Sequence, residues 1–403
     1  MAFRTEKPGT PSTIQTINRR LVLELVRRSG PISRTDIARR LGTTGPTVSN
    51  AVKHLMRKEL VVARYDGPST GGRRPILLGF NEQAGYVLAL NIGAGLDVGL
   101  FDLGGSAVGR LKDELPKRDG QRILEQSMEL VIRLVKKADI PHHRIWAMGI
   151  SAPGIVDPDS GTATHAPLLG PGTWPLGHVF AKRFQVPVLV DNDVNAAAFG
   201  EKLRGAGRAF DDFVYILMDE GIGAGIMLRD GLYRGSQNAA GEIGYMVTDP
   251  DWVADNAGGF GCLESVASVL AIRRLATGLG LAMSAESQGN LALGHLLRTA
   301  KGGDDAARRI ADRVLKFIAM GVANLCAVLN PSTVILGGAN VDELVLEELK
   351  PRLEGLIPKV PPIVLSALGA DASLVGAASL AIDHVVLRAL DDDFSPESSF
   401  VVA

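Results

Sequence analysis

Four polar side chains lie close together in the segment VDNDVNAAAFGE, where an apolar run meets a helical pattern. They are Asp191, Asn192, Asp193 and Asn195. A carboxylate at the end of a strand can accept the proton of a hydroxyl group, and a neighbouring amide can hold a second hydroxyl. A general base acting on a sugar requires this pair of groups. Capping of the following helix is the alternative for one of these residues, but not for all four.

Two further carboxylates stand in short glycine-containing motifs downstream. GEIG contributes Glu242 and GCLE contributes Glu264, and both can accept hydrogen bonds from sugar hydroxyls. Glycine-rich turns also recur where apolar runs end, and such turns let backbone amides approach a phosphate or a sugar. These residues together predict a polar cleft at the ends of strands.

The elements that must position these residues read as an α/β body beginning near Gly85, because strand-like runs alternate with helical ones. A helix is expected over Gln121–Lys137, and VPVLVDNDVNAAAFGEKL predicts a strand that runs directly into a helix. The pattern of LALNIGAGLDVGLFD, two apolar runs joined by a glycine-rich turn, is repeated in YILMDEGIGAGIMLRDG. This repetition suggests two related lobes facing a cleft, although a shared hairpin also explains it.

The first 80 residues differ in charge from the rest of the chain. They contain 15 Lys and Arg against 5 Asp and Glu, which leaves 28 against 39 in the remainder. A basic head on an acidic body predicts that the head binds a polyanion. A solvated basic tail is the alternative, but the basic residues lie within helical patterning.

The patterning of the head predicts three helices. The first runs through IQTINRRLVLELVRRSG and ends at Gly30–Pro31. The second begins after Ser33, a good N-cap residue, and is closed by Gly42. The third begins near Thr44 or Thr47. Two short helices joined by a glycine-containing turn, after a leading helix, are typical of a helix-turn-helix.

The third helix of this motif would enter the major groove of DNA. Val48, Val52 and Leu55 form its buried stripe, and the opposite face is expected to be exposed, with His54 on it. The residues predicted here to contact bases or phosphates are Arg34, Thr44, Thr47, Ser49, Asn50, Lys53 and Arg57. A plain helical bundle for protein contacts is the alternative.

A wing is predicted after the third helix. VVARY and PILLGF read as two strands joined by a glycine-rich loop that carries Arg73 and Arg74. These arginines suit a narrow groove or its phosphates, and a solvated linker is the alternative.

Seven motifs in a fixed order resemble the ROK family, whose members are repressors and sugar kinases. They are SAPGIVD, DNDVNAAAFGE, GIGAGI, GEIG, GCLES, LNPSTVILGG and ADASLVGAA, within residues 84–381. The basic head with its GGRRP segment is similar to the repressor branch of that family. The resemblance implies an α/β fold: an actin-like sugar-kinase body of two lobes with an N-terminal winged helix-turn-helix domain.

The resemblance also implies which residues contact a sugar. Asn192, Asp193, Glu242 and Glu264 match the family's sugar contacts, and Asp193 matches the general base of the kinases. A further asparagine of the family falls at Leu168, which cannot hydrogen-bond a hydroxyl, so sugar binding has one fewer contact or uses His165.

The phosphate-binding loops depart from the kinase pattern. In the first loop Asn91 replaces an aspartate, and Leu96 places an apolar side chain where phosphates would lie. In the second loop Asp219 and Glu220 precede the glycines and would repel a triphosphate. Because phosphoryl transfer depends on positioning and charge neutralisation, we predict no kinase activity, and Asp193 as a retained but non-catalytic residue.

The family's zinc loop is also changed. One histidine and three cysteines hold the ion in the family, and Tyr245, Asp255, Ala257 and Cys262 stand at those positions. One thiol and one carboxylate cannot complete a tetrahedral site, so we predict that no metal is bound.

The sequence therefore predicts four segments: a disordered lead-in over 1–12, a winged helix-turn-helix over 13–80, an effector-binding and oligomerisation body over 81–385, and an acidic, solvated tail over 386–403. No apolar run approaches the roughly 20 residues of a membrane helix. Only two cysteines are present and no signal peptide precedes the head, so a cytoplasmic protein without membrane contact is expected.

The predicted function is a sugar-responsive repressor of carbohydrate genes that needs no cofactor. Its partners would be double-stranded operator DNA, a sugar or sugar-phosphate effector, and further copies of the chain in a dimer or tetramer. Two alternatives remain: a sugar kinase that carries a DNA-binding head, and a repressor whose body senses a protein partner.

Overall fold

The computed structural model describes residues 11–66, 75–115, 119–249, 262–278, 292–338, 341–391 and 400–401. An N-terminal head of three helices and a small sheet precedes two lobes, each built on a five-stranded sheet. This architecture confirms the predicted α/β fold with a winged head.

The helices of the head begin and end at the predicted capping residues. Ser33 Oγ accepts a hydrogen bond from the backbone N–H of Asp36 at 3.1 Å, and Gly42 has the left-handed φ of 61° that closes the helix. Thr44 caps the third helix. The three helices are α1 (Pro11–Ser29), α2 (Arg34–Leu41) and α3 (Gly45–Arg57).

The wing is a hairpin extended by one strand that the sequence did not predict. Its strands are β1 (Ile32–Ser33), β2 (Val61–Asp66) and β3 (Ile76–Phe80), in the order β1-β3-β2. Because β1 has only two residues, it shows no alternation that a sequence pattern could reveal. Arg73 and Arg74 lie outside the described residues.

The first lobe has a sheet in the order β10-β7-β4-β5-β6. The strands of this sheet are β4 (Tyr86–Ile92), β5 (Gly95–Asp102), β6 (Ala107–Glu114), β7 (Ile145–Ala152) and β10 (Val188–Asn192). The lobe also contains a two-stranded ribbon of β8 (Ile155–Asp157) and β9 (Thr162–Thr164). Its helices are α4 (Gly120–Ala138), α5 (Leu176–Phe184) and α6 (Asp193–Arg204).

The second lobe has a sheet in the order β13-β12-β11-β14-β15. Its strands are β11 (Phe213–Met218), β12 (Ile222–Leu228), β13 (Gly231–Tyr233), β14 (Thr333–Gly337) and β15 (Ile363–Leu365). The helices that follow are α7 (Glu264–Ala267), α8 (Val269–Gly278), α9 (Ala292–Lys301), α10 (Asp305–Leu329), α11 (Glu343–Glu354) and α12 (Ala372–Arg388).

The two sheets share one topology. In each, three consecutive strands form an antiparallel meander, and two later strands add in parallel beside the first strand of the meander. A shared hairpin alone would not produce the matching parallel strands. The sheet order therefore confirms the two related lobes that the repeated glycine-turn theme suggested.

Helix α12 returns from the second lobe to pack on the first. Gly149 of β7 and Gly376 of α12 allow backbone contact there, because an added Cβ would lie 1.9 Å from the carbonyl oxygen of Ala377 and 1.8 Å from that of Ala196, respectively. The segment Gly369–Arg388 is long and apolar enough to cross a membrane by composition, but more than half of it is buried inside this fold. It has the features of a core helix.

The head and the first lobe share one apolar core. Val22 and Val26 of α1 belong to the same buried cluster as Leu374 and Ile382 of α12. Arg19 Nη1 also donates a hydrogen bond to the carbonyl oxygen of Leu390 at 2.9 Å. The head is therefore packed against the helix that also contacts α6.

The end of the chain is anchored rather than solvated. The ring of Phe400 is 3% exposed and stacks on Phe184 with 5.2 Å between centroids, and the N–H of Val401 donates to the Phe184 carbonyl. Phe400 joins the cluster on the α4 and α5 face of the sheet, whereas α12 covers the other face. The prediction of a solvated tail is wrong at Phe400, because its aromatic ring occupies an apolar site on the first lobe.

Replacing Phe400 with alanine is expected to lower the free energy of unfolding by about 1–2 kcal/mol. This is less than the roughly 3–5 kcal/mol of an interior Phe→Ala change, because a chain end can undock without leaving a closed cavity. Urea denaturation measures the effect. The control is Tyr233→Ala, which removes a ring that is 51% exposed. A loss no greater than that of the control would contradict the anchoring role.

Candidate functional site

Two of the predicted sugar-binding residues, Asn192 and Asp193, lie where β10 passes directly into α6. Asn192 is the N-cap of α6, and its Oδ1 accepts hydrogen bonds from the N–H groups of Val194 at 2.9 Å and Asn195 at 3.2 Å. Its Nδ2 donates to the Gly154 carbonyl at 2.8 Å. The oxygen and the nitrogen of this amide both form hydrogen bonds within the protein, so Asn192 acts as a helix cap. Its side chain also connects α6 to the loop at Gly154.

Asp191 and Asn195 are also engaged within the protein. Asp191 is 1% exposed and forms an ion pair with Arg234. Asn195 is 4% exposed, and its Nδ2 donates to Asp191 Oδ1 at 3.4 Å. Asn195 Oδ1 is buried and accepts no hydrogen bond from the described part of the chain. A buried acceptor of this kind requires a donor from a ligand or from water.

Asp193 is the carboxylate of this group that faces the other acidic side chains. Burial, together with the carboxylates of Glu242 and Asp219, raises the pKa of Asp193 to about 7, although the N–H of Val194 opposes the shift. An acid with this pKa can accept a proton near neutral pH. Ser373 of α12 donates to the backbone carbonyl of Asp193 at 3.1 Å, which connects this site to α12.

Glu242 lies close enough to act on Asp193, and Glu264 lies close to Glu242, although the three residues are distant in sequence. Burial raises the pKa of both glutamates, and the charge of Glu242 adds to the shift at Glu264. Glu264 begins α7, and a Cβ added at Gly221 or Gly244 would lie 3.3 Å or 3.0 Å from its carboxylate oxygens. The structure therefore brings together the four residues predicted to bind a sugar.

His165 approaches this group from the first lobe. Its imidazole lowers the pKa of Glu242, opposing the larger effect of burial, and the residue has a left-handed φ of 49°. Leu168 lies on the same loop and is partly buried. This placement agrees with the expectation that His165 could substitute for the missing asparagine; contact with a ligand stays a prediction.

A small pocket, partly open to solvent, lies between the start of α6, strand β12 and the segment from Asn238 to Glu242. Its polar lining includes Asn192, Asn195, Asn238 and Glu242. Asn238 is a site residue that sequence reasoning missed. Its position in the turn before GEIG was the available signal, but an asparagine in a loop has many other uses.

The contribution of Asp193 to the free energy of unfolding is expected to fall as pH rises from about 4 to about 7. The folded state keeps a proton on Asp193 in this range, whereas the unfolded chain, with a pKa of 3.8, has lost it. Asp193→Asn should match the parent near pH 4 and be more stable at pH 8 by on the order of 1 kcal/mol, a value discounted for partial exposure. The control is Glu347→Gln on the exposed face of α11. A difference between Asp193→Asn and the parent that stays constant with pH would contradict this expectation.

The face of α3 that is predicted to bind DNA is exposed. Ser49, Asn50, Lys53 and Arg57 lie on the outer face of α3, while Val48, Val52 and Leu55 are fully buried. Thr44 and Thr47 stand at the N-terminal end of α3, with 2.8 Å between their hydroxyl oxygens. Binding of DNA by these residues stays a prediction.

His54 does not belong to this face. The His54 side chain is 2% exposed. Helix α3 packs against both α1 and the wing, so its buried face is wide enough to include position 54. Arg34 does belong to the face predicted to bind DNA: its Nη2 lies 3.7 Å from Sδ of Met56, an exposed residue on the same side of α3.

Comparison with known proteins agrees with this geometry. The ROK family model matches residues 87–384, which is more than half of the chain. This chain belongs to the ROK family. A MarR family model matches residues 16–74, which correspond to the head.

Several relatives of this ROK protein are regulators. It is 31% identical over 352 residues to the xylose repressor of Caldicellulosiruptor bescii, covering 85% of this chain and 88% of that protein. A solved ROK family transcriptional regulator, a homolog of the Escherichia coli MLC protein, has a TM-score of 0.77 and 25% identity, covering 94% of this chain and 98% of that one.

The ROK glucokinase of Streptomyces griseus, solved with glucose and AMPPNP, has a TM-score of 0.63 and 30% identity. It covers 74% of this chain and all of that kinase, so about a quarter of this chain has no counterpart in the kinase.

The loop of this ROK protein that was predicted to correspond to the first phosphate loop of the kinases is held from within the protein. Ser151 Oγ donates to Asn91 Oδ1 at 2.8 Å, so the amide that replaces the kinase aspartate is held by a neighbouring strand. Leu96 is 1% exposed in the core, and the prediction that it faces the phosphate position is wrong. The alternation of β5 turns that side chain inward.

Asp219 and Glu220 occupy the turn between β11 and β12. Burial and the charge of Glu220 raise the pKa of Asp219, while Arg273 partly opposes them. Two adjacent carboxylates in the turn predicted to face phosphates make that turn unfavourable for a polyanion.

The position of the family's zinc loop is only partly described. Asp255 and Ala257 lie outside the described residues. Cys262 is 1% exposed, and its Sγ accepts a hydrogen bond from the N–H of Thr248 at 3.3 Å. Tyr245, at the position of the family histidine, is 57% exposed. Across the described ranges, no group of three or more His, Cys, Asp and Glu side chains is arranged to hold a metal.

Proposed function

We propose that this protein is a sugar-responsive transcriptional repressor of carbohydrate genes. The observation that carries the proposal is the packing of a winged helix-turn-helix and a sugar-type cleft against the same helix. Helix α12 contacts α6, which begins at Asp193, and it shares one buried apolar cluster with α1 of the head. A ligand that favours one arrangement of the two lobes would thereby shift the position of the head, by no more than its differential affinity allows.

The DNA-binding role rests on the head. The basic face of α3 presents Asn50, Lys53 and Arg57 to solvent, and residues 1–80 carry a large excess of positive charge. We propose that the protein binds a palindromic operator as a homo-oligomer, because two-fold symmetry of the protein matches that of such DNA. The names of the repressor relatives support the regulatory class. A cytoplasmic location follows from the proposed role.

The proposed regulator has no kinase activity. Asp219 and Glu220 place negative charge in the turn that a kinase uses for phosphates, and Asn91 replaces the aspartate of the other loop. Phosphoryl transfer needs charge neutralisation at this point.

Fluorescence anisotropy tests the proposal with labelled DNA from the region upstream of the protein's own gene. The titration is performed with and without a panel of free sugars. Specific binding that one sugar changes at least about tenfold, in either direction, supports a sugar-responsive regulator. Specific binding that no sugar changes would favour a protein partner as the signal. The absence of specific binding would overturn the repressor role.

A sugar kinase with a DNA-binding head is the second candidate, and the geometry of Asp193 favours it. Its pKa of about 7 suits a general base, Glu242 lies close to it, and Glu264 lies close to Glu242. ATP-dependent phosphorylation of a sugar that Asp193→Ala abolishes would establish this activity.

A further inference from the structure

Helix α1 of the head is apolar on two sides. Val22 and Val26 are buried on one side, in the cluster that α1 shares with α12. Ile14, Ile17 and Leu21 follow one another at helical spacing on another side, and their side chains are 53%, 51% and 43% exposed, respectively. These three residues form the α1 stripe. An exposed row of large aliphatic side chains on a helix indicates a contact surface.

The α1 stripe lies in an uncharged stretch of a strongly basic head. Residues 8–18 contain no Lys, Arg, His, Asp or Glu, although residues 1–80 contain 15 Lys and Arg. Beside the stripe, Arg20 forms an ion pair with Glu24 at 3.0 Å. A surface that contacts phosphates needs cations, so the stripe does not fit DNA. Its apolar and uncharged character fits the core of a protein interface.

A second copy of this chain is the partner whose surface fits the stripe. A two-fold interface uses the same residues of both copies, so its surface must be complementary to itself. Two α1 helices that lie antiparallel and meet near Ile17 place Ile14 of one copy against Leu21 of the other. The carboxylate of Glu24 then lies near the N-terminal end of the other α1, where the helix dipole is positive. A parallel pair would instead bring Arg20 of one copy close to Arg20 of the other.

The same pairing gives the two α3 helices a spacing that suits DNA. Helix α3 packs directly against α1. The axes of packed helices are about 8–10 Å apart, so a row of α3, α1, the second α1 and the second α3 spans roughly 24–30 Å. Two half-sites on one face of B-DNA are about 34 Å apart. The distance between the two α3 helices is therefore of the order that a palindromic operator requires.

The size of the stripe determines when this pairing contributes. Three partly exposed side chains from each copy bury only on the order of a few hundred Å², well below the roughly 1,200 Å² of a stable specific interface. Two isolated heads would therefore not stay paired. Two chains that are held close by their bodies or by adjacent half-sites have a high effective concentration, and a weak contact then adds to the affinity.

We propose that the α1 stripe is the head-to-head contact between two copies of this protein, with the two α1 helices antiparallel across a two-fold axis. This inference rests on the proposed DNA-binding function and adds the surface that sets the distance between the two heads. The other side of α1 belongs to the apolar cluster of α12. A displacement of α12 would thereby change the angle between the paired heads.

Chemical cross-linking of the full chain tests the geometry of this contact, with and without the DNA fragment from the upstream region. Both native cysteines are buried, so a cysteine introduced on α1 is the reactive one. The variant Ile17→Cys should give a covalent dimer with a bismaleimide of about 10 Å span, because position 17 lies next to the two-fold axis. The matched control is Arg28→Cys, at an exposed position on the same side of α1. It should give no dimer, because the antiparallel pair holds the two copies of position 28 about 30 Å apart.

Removal of the stripe should affect binding to two adjacent half-sites and not to one. Footprinting defines the two half-sites in the upstream fragment. The variant Ile17→Ser/Leu21→Ser is expected to bind the two half-sites at least about tenfold more weakly than the parent, and one half-site within about twofold of the parent. The matched control Val108→Ser/Leu203→Ser removes two aliphatic side chains of the body that are 48% and 43% exposed, and it should keep both affinities. Circular dichroism confirms that both variants are folded.

The outcomes separate this inference from the proposed function. Specific DNA binding without a cross-link in Ile17→Cys, or with unchanged affinity of the serine variant for two half-sites, overturns the contact and leaves the repressor role in place. An equal loss on one and on two half-sites also overturns it, because the stripe would then act on DNA or on the fold of the head. A cross-link in Arg28→Cys as efficient as that in Ile17→Cys overturns the antiparallel arrangement. A cross-link in Ile17→Cys alone, without any specific DNA binding, upholds the contact and overturns the repressor role.

The segment that precedes α1 is the competing occupant of the stripe. Residues 1–10 contain Met1, Ala2 and Phe3 as their apolar residues besides proline. Labelling of Ile17→Cys with a monofunctional maleimide distinguishes the two occupants. Labelling that becomes faster after removal of residues 1–10, in a protein that forms no cross-link, assigns the stripe to that segment and overturns the contact between copies.

Discussion

Reversing the charges of Lys53 and Arg57 together is expected to weaken specific DNA binding by roughly 100-fold or more while leaving the fold intact. Both side chains lie on the exposed face of α3, one helical turn apart, and Asn50 continues the same stripe. The side that holds α3 in the head consists of other residues, which are fully buried. The double variant Lys53→Glu/Arg57→Glu therefore changes the DNA-facing charge and not the packing.

The dependence on salt distinguishes phosphate contacts from a general loss of structure. Losing two phosphate contacts should reduce the slope of log affinity against log salt by about 2. The matched control is Lys136→Glu/Lys137→Glu, which makes the same change of net charge on the exposed end of α4. Anisotropy titrations at several salt concentrations measure both quantities. If the α3 variant binds within about fivefold of the control, α3 is not the DNA-binding element.

Replacing Gly376 with alanine is expected to lower the free energy of unfolding by on the order of 2 kcal/mol or more. Glycine to alanine inside a helix normally stabilises a protein, because alanine has the higher helix propensity. Here the new methyl group would lie 1.8 Å from the carbonyl oxygen of Ala196, and neither backbone can yield without separating α6 from α12. The substitution is therefore expected to destabilise the protein, although glycine to alanine in a helix usually stabilises it.

Gly278→Ala provides the matched control for this prediction. Gly278 is also helical, at the end of α8, and an added Cβ there would meet no atom within 4 Å. It should be neutral or slightly stabilising. Urea denaturation followed by circular dichroism compares the two variants. Equal stability of Gly376→Ala and the parent would mean that α6 and α12 do not touch at this point. Because α6 begins at Asp193 and α12 shares a buried apolar cluster with α1, the same crossing connects the cleft with the head.

Local signals in the sequence were sufficient for most of the secondary structure of the head. Capping and helical periodicity act over four residues, so Ser33, Gly42 and Thr44 predicted the limits of α2 and α3. The excess of basic residues needs no coordinates at all. The ordered motifs of the body also predicted which residues would share a cleft, through resemblance to the ROK family.

The sequence by itself therefore determined the class of fold, the basic character of the head and the candidate residues of the cleft. Only the tertiary structure decided how those residues are used. Asn192 caps a helix, Leu96 and His54 turn inward, and Phe400 anchors the end of the chain. The physical reason is that exposure and hydrogen-bond partners depend on elements far away in sequence. A sequence pattern over ten residues carries no information on the sheet order or on the crossing of α6 and α12. Those two features decide which residues become partners.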